Sequence, residues 1–277
     1  MLTVSGCVRK GKEQDKVYQE TGMFEWSEEA VCEPEEALYL AKELGITKWY
    51  QETNGMTEVE ATGKFVKALH NRKIEVYALL GAVEWGYEED GATLLAHLEK
   101  IVQYNVQSSE KEKFDGVMLD IEPYISDSWK ENPEEYMDRY ISCMKKGYKF
   151  TQKNHLRTAI CIPRHYDNQG LTSGLEELIK ETCDEAVMNY SCGNEIEAIR
   201  TEAALSEKYG KELHCILEFQ EVGKHGLTEN KTYRNKGIDN AKETWEKLQK
   251  EYKNINVTRD YHWSRPVREM LEEKNAD

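Results

Sequence analysis

The sequence has no long apolar run, and this absence sets the first limit on what the chain can be. None of its hydrophobic stretches approaches the roughly 18 residues that suggest a membrane-spanning helix. Hydrophobic residues make up 39% of the 277 residues. That share is enough for a packed core and is not the composition of a disordered chain. The length suits one large α/β domain or two small ones.

Positive charge is also scarce. Lys and Arg number 37 against 52 Asp and Glu, so the formal net charge is −15. Proteins that bind nucleic acids need clustered positive charge facing the phosphate backbone. The composition therefore argues against a nucleic-acid partner, and most of the acids are expected on solvated helix faces.

Motifs that hold metal ions or phosphate groups are missing as well. The seven cysteines are scattered without CxxC or Cys/His ligand spacing, and no HxxxH or HExxH pattern occurs. We therefore expect no metal ion and no cofactor. The cysteines are expected to act as small buried hydrophobes and not as a disulfide framework. Their odd number leaves at least one outside any set of intramolecular pairs.

Residues 1–21 are interpreted as an N-terminal tether or a truncated lipoprotein signal region. The stretch from Leu2 to Cys7 resembles a bacterial lipobox, in which Cys7 would carry the lipid. The basic and apolar parts of a signal peptide are missing before it. Two interpretations stay open: an extracytoplasmic protein, lipid-anchored at the cell surface, or an ordinary N-terminal segment of a cytoplasmic protein.

From residue 22 onward, short β-like runs alternate with amphipathic helix-like runs. Pro34 opens one such helix, which stops at Gly45, and Asn132 caps another that reaches about Lys153. The predicted strands are 22–26, 46–51, 74–80, a fourth within 114–124, 156–162, 184–190, 212–219 and 256–263. Eight strands, each followed by a helix, match a single (β/α)₈ or TIM barrel, predicted for residues 22–277. A doubly wound sheet is the alternative, but no glycine-rich phosphate loop follows the first strand.

The stretch from Phe114 to Tyr124 carries the strongest chemical signal. An apolar, strand-like segment leads into Asp120 and Glu122, which strand alternation would place on one face. Two neighbouring carboxyls in a low dielectric favour keeping one of them protonated near neutral pH, which a general acid requires. Alternatively, these acids form salt bridges at the start of a helix.

In a TIM barrel, functional residues lie at the carboxyl ends of the strands and in the loops after them. At those positions the sequence has many carboxylates and aromatics, which suit a sugar, because hydroxyls need acceptors and sugar faces stack on rings. The predicted substrate-binding residues are Trp26, Trp85, Tyr124, His165, Asn189, Glu221, His262 and Trp263. As alternatives, Trp26 and Trp85 pack in the core, and His165 and His262 support other side chains.

These residues carry a resemblance to a known family. Asp115-x-x-Met118-x-Asp120-x-Glu122 resembles the DxxDxDxE signature on the fourth strand of glycoside hydrolase family 18, the chitinase-like barrels. Met188-Asn189-Tyr190 resembles that family's Met-x-Tyr segment, and Trp263 falls where the family has a tryptophan on the eighth strand. Segments 120–124 and 184–190 also resemble a group of uncharacterised bacterial barrel proteins related to those hydrolases.

The resemblance implies a hydrolase that cleaves glycosidic bonds in a carbohydrate substrate. Glu122 would be the general acid, and Asp120 would orient the substrate's acetamido group, which itself attacks the anomeric carbon. Tyr190 would hydrogen-bond to the same group. Met118 is a departure, because the family has an aspartate there that pairs with the residue equivalent to Asp120.

Glu218 offers an alternative to substrate assistance. Barrel glycosidases of the ordinary retaining type place a nucleophilic glutamate on the seventh strand, where Glu218 lies in this sequence. Alternatively, Glu218 pairs with Arg164 or another base. Two functional hypotheses follow: a glycosidase built on Glu122, or a non-catalytic carbohydrate-binding protein on a chitinase-like barrel. The retained Glu122 favours the first, and Met118 favours the second.

Overall fold

The computed structural model describes residues 20–182 and 184–276, which form a closed barrel of eight parallel strands surrounded by helices. The strands are β1 (Thr21–Glu25), β2 (Lys48–Glu52), β3 (Glu75–Leu80), β4 (Gly116–Leu119), β5 (Arg157–Pro163), β6 (Asp184–Met188), β7 (Leu213–Glu218) and β8 (Val257–His262). The α-helices are α1 (Pro34–Leu44), α2 (Val59–His70), α3 (Ala92–Gln107), α4 (Asp127–Glu131), α5 (Pro133–Lys153), α6 (Thr172–Lys180), α7 (Glu195–Ala198), α8 (Arg200–Tyr209), α9 (Ile238–Glu251) and α10 (Ser264–Ala276). The predicted TIM barrel is confirmed, and a doubly wound sheet is not.

The end of β4 differs from the prediction made by alternation. The strand stops at Leu119, so Asp120 and Glu122 lie in the loop that follows it. Asp120 N still donates a hydrogen bond to Leu80 O at 2.8 Å, and Pro123 then opens a short 3₁₀ turn. Both acids line one cavity because the loop after β4 places them at the carboxyl end of the barrel, and not because they share a strand face.

An apolar layer fills the middle of the barrel. It consists of side chains that alternate inward along the strands, as expected for this fold. Its members include Phe24, Leu79, Met118, Cys161, Met188 and Ile216. This layer forms the support on which the residues at the carboxyl ends of the strands rest.

The amino-terminal end of the barrel is closed by buried ion pairs. Lys48 Nζ lies 2.7 Å from Glu20 Oε2 and 3.0 Å from Glu212 Oε2, with the lysine side chain only 2% exposed. Asp260 accepts hydrogen bonds from Tyr50 and Thr258 and lies 3.1 Å from His214 Nδ1. Buried charges are tolerated when they are paired and hydrogen-bonded in this way. These paired and hydrogen-bonded side chains therefore close the amino-terminal end of the barrel.

The described cysteines are free thiols. Cys143, Cys161 and Cys215 are buried, Cys192 is half-buried and Cys32 is exposed. The expectation of small buried hydrophobes is thus met by three of these five and is wrong for Cys32. Cys7, the predicted lipidation site, lies outside the described residues. Among the described helices none is long and apolar enough to cross a membrane.

Two buried carboxyls lie between β6 and α8. Glu185 and Glu202 are both fully buried, and neither carboxyl oxygen of Glu202 has a hydrogen-bond partner in the described part of the chain. Glu185 accepts a hydrogen bond from Ser206. Burial raises the pKa of Glu202 to about 7 and raises that of Glu185 well above its usual value, with Glu202 adding to the latter shift. Both side chains are therefore protonated in the folded protein over most of the acidic range.

We predict that Glu202→Gln flattens the pH dependence of stability. The pKa of Glu202 is raised to about 7 in the folded protein, against roughly 4.3 in the unfolded chain. The contribution of Glu202 to the free energy of unfolding is therefore complete below the unfolded pKa and is lost as the pH rises through about 7. Between these two pKa values, the free energy of unfolding falls by up to about 1.4 kcal/mol per pH unit. Urea denaturation across this pH range measures it, with exposed Glu207→Gln on the same helix as the control. An unchanged slope in Glu202→Gln would contradict the prediction.

Candidate functional site

A cavity of about 800 Å³ opens at the carboxyl ends of the strands. Its volume falls within the range typical of small-molecule sites. It brings together nine of the residues predicted from the sequence: Trp26, Asp120, Glu122, Tyr124, His165, Tyr190, Glu218, His262 and Trp263. The carboxylates and aromatic rings expected at the strand ends therefore share one space.

Three predicted substrate-binding residues do not line this cavity. Trp85 is 7% exposed and packs against His97 in the core outside the barrel, with ring centroids 4.3 Å apart. Asn189 is fully buried and donates to Glu195 O at 3.0 Å, because its neighbours Met188 and Tyr190 take the inward positions. Glu221 is exposed and borders a separate surface groove. Those three predictions are corrected accordingly.

Asp120 is positioned by close contact with the end of β3. A Cβ atom on Gly81 would stand 1.8 Å from Asp120 O, so only glycine fits there. Asn54 holds the Gly81 peptide from both sides, donating to its carbonyl at 2.9 Å and accepting from its N–H at 3.1 Å. Together with the bond from Asp120 N to Leu80 O, these contacts fix the backbone of Asp120.

The carboxyl group of Asp120 is enclosed and holds a proton near neutral pH. Burial raises its pKa to about 7, and the charge of Glu122 adds to the shift, while His262 and a hydrogen bond with the Cys161 thiol act against it. Asp120 Oδ1 is buried and has no hydrogen-bond partner among the described residues. Met118, two residues before Asp120, is buried in the apolar layer of the barrel and provides no second acid.

Glu122 is half-buried and directed by Tyr124. The Tyr124 hydroxyl donates to Glu122 Oε1, and burial and the Glu122 charge raise the pKa of Tyr124, so the phenol stays a donor. Neither Asp120 nor Glu122 forms a salt bridge within residues 20–182 and 184–276. The alternative in which these acids pair with the start of a helix is therefore not what the structure has.

Glu218, at the end of β7, is held as a carboxylate by four donors. Oε1 accepts from the backbone N–H groups of Phe219 and Gln220, both at 2.8 Å. Oε2 accepts from Gln220 Nε2 at 3.1 Å and lies 2.9 Å from His262 Nδ1. Burial alone would raise the pKa of Glu218, but His262 and Gln220 hold it below its usual value. The basic side chain that pairs with Glu218 is therefore His262 and not Arg164.

His262 connects Glu218 to Trp26. Trp26 Nε1 donates to His262 Nε2 at 3.0 Å, which requires that nitrogen to be unprotonated. The ring proton then lies on Nδ1, toward Glu218. Burial lowers the pKa of His262, and Glu218, Asp120 and Glu122 more than offset this effect. Protonation would place two donors face to face, so the bond from Trp26 opposes the protonation that the neighbouring acids favour.

Other predicted residues form the walls of the cavity. Tyr190 lies among Glu218, Asp120 and Glu122, which together with burial raise the pKa of its phenol well above the usual value. Tyr190 therefore stays a neutral hydrogen-bond donor. His165 packs edge-on against Tyr124, and burial, Arg164 and Lys231 lower its pKa. Trp263 borders the opening.

Several residues at the cavity were not predicted from the sequence as site residues. Asn54, Gly81 and Gln220 position acids without any motif of their own, although Gly81 ends an apolar run. Cys161 lies in an apolar strand, where its contact with Asp120 depends on the pairing of β4 with β5. The remaining lining residues from the loops include Arg164, His225, Leu227 and Lys231.

One group of side chains with metal-ligand chemistry lies at the opposite end of the barrel. Asp184, Glu212 and His214 bring one ligand atom each within 4.8 Å of one another. Lys48 Nζ already lies 3.0 Å from Glu212 Oε2, and Arg157 lies 3.3 Å from Asp184 Oδ2. Basic side chains therefore already neutralise these acids.

No protein-family model matches the sequence, and a search of curated proteins found no match. Solved structures with similar folds do exist. A mutant GH18 chitinase from Cycas revoluta in complex with (GlcNAc)4 has a TM-score of 0.56 at 12% identity, over 92% of this chain and 98% of that one. A chitinase from Bacteroides thetaiotaomicron has a TM-score of 0.55 at 12% identity, over 92% and 97%.

A D-tagatose 3-epimerase-like protein is similar to the same degree, with a TM-score of 0.58 at 11% identity over 93% of this chain and 96% of that one. At such identities the likeness shows a shared TIM-barrel fold alone. The fold is thus chitinase-like, and it is equally epimerase-like. Fold does not assign function, so the chemistry has to come from the cavity itself.

We predict that neutral His262 carries its proton on Nδ1, because Nε2 accepts from Trp26. Nitrogen-15 NMR of the imidazole should show this tautomer at mildly alkaline pH. Acidification should protonate Nε2 and shift the Trp26 indole N–H resonance in step. In Glu218→Gln the midpoint should fall by about one pH unit, because the carboxylate that favours imidazolium is gone. Trp26→Phe is the control, and a neutral ring protonated on Nε2 would contradict the assignment.

Proposed function

We propose that this protein hydrolyses glycosidic bonds in an oligo- or polysaccharide, with Glu122 as the general acid. The observation that carries the proposal is the pair of Asp120 and Glu122 in a cavity of about 800 Å³, with the pKa of Asp120 raised to about 7. Such a pair holds one proton near neutral pH, which protonation of a leaving oxygen requires.

The surroundings of Glu122 suit an acid. Because Tyr124 occupies Oε1, the other carboxyl oxygen is left to carry the proton toward the substrate. Glu122 also lines the cavity and is half-buried, so a bound glycan can reach it. In the proposed step the proton goes to the leaving sugar's oxygen as the bond to the anomeric carbon breaks.

The surroundings of Asp120 support substrate assistance. Its Oδ1 atom is buried without a partner, and an unsatisfied buried acceptor is costly. An amide N–H of a substrate acetamido group would satisfy it and stabilise the ionised form of Asp120. The proton of the pair would then move to Glu122. The acetamido oxygen would attack the anomeric carbon, and water would later open that bond with Glu122 carboxylate as the base.

Glu218 fits a positioning role better than a nucleophilic one. Its four hydrogen bonds use about all of the lone-pair sites that a carboxylate has. A nucleophile would need one of these sites free to approach the anomeric carbon. We therefore assign Glu218 to orienting His262, which in turn holds Trp26 at the cavity wall.

Trp26, Tyr190 and Trp263 would supply the sugar platform. They line the same cavity as the two acids, and aromatic faces suit the C–H faces of sugar rings. The likeness to a chitinase bound to (GlcNAc)4 is consistent with this placement. A non-catalytic carbohydrate-binding protein is the second candidate, and the observation that favours it is Met118, which leaves no acid beneath Asp120.

We predict that Glu122→Gln lowers kcat/KM on aryl glycosides and N-acetylated oligosaccharides by about 10²–10⁴-fold, because it removes the proton donor. Glycan binding should be retained, since the amide keeps the shape of the carboxyl group. The measurement is steady-state kinetics together with calorimetric binding.

Glu221→Gln is the matched control, because Glu221 follows β7 at the same end of the barrel but lies outside the cavity. It should leave the rate unchanged. Equal turnover by wild type and Glu122→Gln would overturn the assignment of the acid. Binding of sugars without turnover by the wild type would establish the second candidate.

A further inference from the structure

Basic and imidazole side chains gather on one side of the cavity. Arg164 and His165 follow β5, and His225 and Lys231 belong to the loop after β7. The proposed hydrolysis uses none of them. In a chain with 52 acidic and 37 basic residues, a cavity wall of this kind needs its own explanation.

The two permanent cations of this wall have no acidic partner. Within the described ranges, neither Arg164 nor Lys231 makes a salt bridge or a side-chain hydrogen bond. Elsewhere the chain pairs half-buried arginines, as with Arg234, whose Nη2 atom lies 2.6 Å from Glu273 Oε1. Arg164 is also half-buried, and its charge reaches buried Glu202 without forming an ion pair.

The positions of both cations are set by the fold. Arg164 directly follows the buried end of β5. Lys231 lies on a segment tied down by backbone contacts: Asn230 O accepts from Cys192 N at 2.8 Å, and Lys231 N donates to Thr228 O at 2.8 Å. Both charges act on the imidazole of His165. Both residues line the cavity, as His165 does, from loops that follow β5 and β7, the two neighbours of β6.

We propose that Arg164 and Lys231 bind a carboxylate carried by the glycan, so that the substrate is an acidic sugar polymer or oligomer. This inference rests on the proposed glycosidase function and adds a substrate class to it. A planar guanidinium can take both oxygens of a carboxylate, and the ammonium adds a second charge. His165, which follows Arg164 in the chain and lines the same cavity, can donate or accept one further bond.

The distribution of charge favours an anion attached to a sugar over a free anion. Glu218 is buried at the end of β7, and Asp120 is half-buried directly after β4 with its Oδ1 atom enclosed, whereas Arg164 is half-buried and Lys231 exposed on the loops after β5 and β7. A neutral sugar ring on the cavity floor would keep its carboxylate near the cations and away from the acids. The net charge of −15 opposes binding of an anionic sugar only weakly, because salt screens distant charges over a Debye length of about 8 Å at physiological ionic strength.

The test compares acidic sugars with the same sugars after carboxyl reduction. The probes are tetrasaccharides of hyaluronan and of polygalacturonate, each with its carboxyl-reduced form, and a sulfated chitotetraose. Binding is measured by calorimetry in the Glu122→Gln background, in which the glycan persists. Arg164→Met/Lys231→Met is compared with Arg200→Met/Lys247→Met, which removes the same charge from the exposed surface.

We predict at least about tenfold tighter binding of an acidic tetrasaccharide than of its reduced form, as charge-assisted hydrogen bonds allow. Arg164→Met/Lys231→Met should abolish that preference and leave binding of the reduced sugar unchanged. The surface pair of substitutions should keep the preference.

Equal binding of acidic and reduced sugars by the protein would overturn the inference. An equal loss of affinity for both kinds of sugar in Arg164→Met/Lys231→Met would overturn it as well. A preference for the sulfated probe over the carboxylated ones would overturn the carboxylate assignment. If neutral chito-oligosaccharides are cleaved while no acidic sugar binds, this inference fails and the glycosidase stands. If no glycan binds or is cleaved, both proposals fail.

Discussion

The enclosure of the Asp120 carboxyl group beside a second acid, Glu122, sets the chemistry of the cavity. Asp120 is half-buried with its Oδ1 atom enclosed, so losing its proton next to a second acid costs free energy that solvation does not offset. The pair therefore keeps one proton to about pH 7. A mobile proton in an enclosed space lined by aromatic rings is what glycoside cleavage uses. The neighbouring contacts decide which oxygen carries it.

The barrel enforces this arrangement through backbone contacts. Asn54 fixes the peptide of Gly81, and Gly81 leaves room for the carbonyl of Asp120. A second, separate set of contacts fixes Glu218 and His262 at the ends of β7 and β8. The first set leaves an oxygen of Asp120 without a partner, whereas the second fills every acceptor site of Glu218. One acid is open to a ligand and the other is not.

The sequence predicts the barrel because its apolar runs recur with helix signals between them. It places Asp120, Glu122, Tyr190 and Glu218 at one mouth because carboxyl ends of parallel strands converge. The alternation of Met188 and Tyr190 could also have excluded Asn189. Trp85 could not be separated from Trp26 in this way, since both follow a strand and only the loop path differs. The contact of Gly81 with Asp120 depends on strand register, and Glu218's donors depend on a loop conformation. Neither the contact between Gly81 and Asp120 nor the donors to Glu218 can be predicted from a single sequence.

The protonation of the two acids is the most direct test of this account. Carbon-13 NMR of the side-chain carboxyls of Asp120 and Glu122 can follow both titrations in the free protein. One proton should stay on the pair until about pH 7, and Glu122→Gln should lower the midpoint of Asp120 because the neighbouring charge is removed. If both carboxyls instead ionise near the ordinary value of about 4, the account is contradicted.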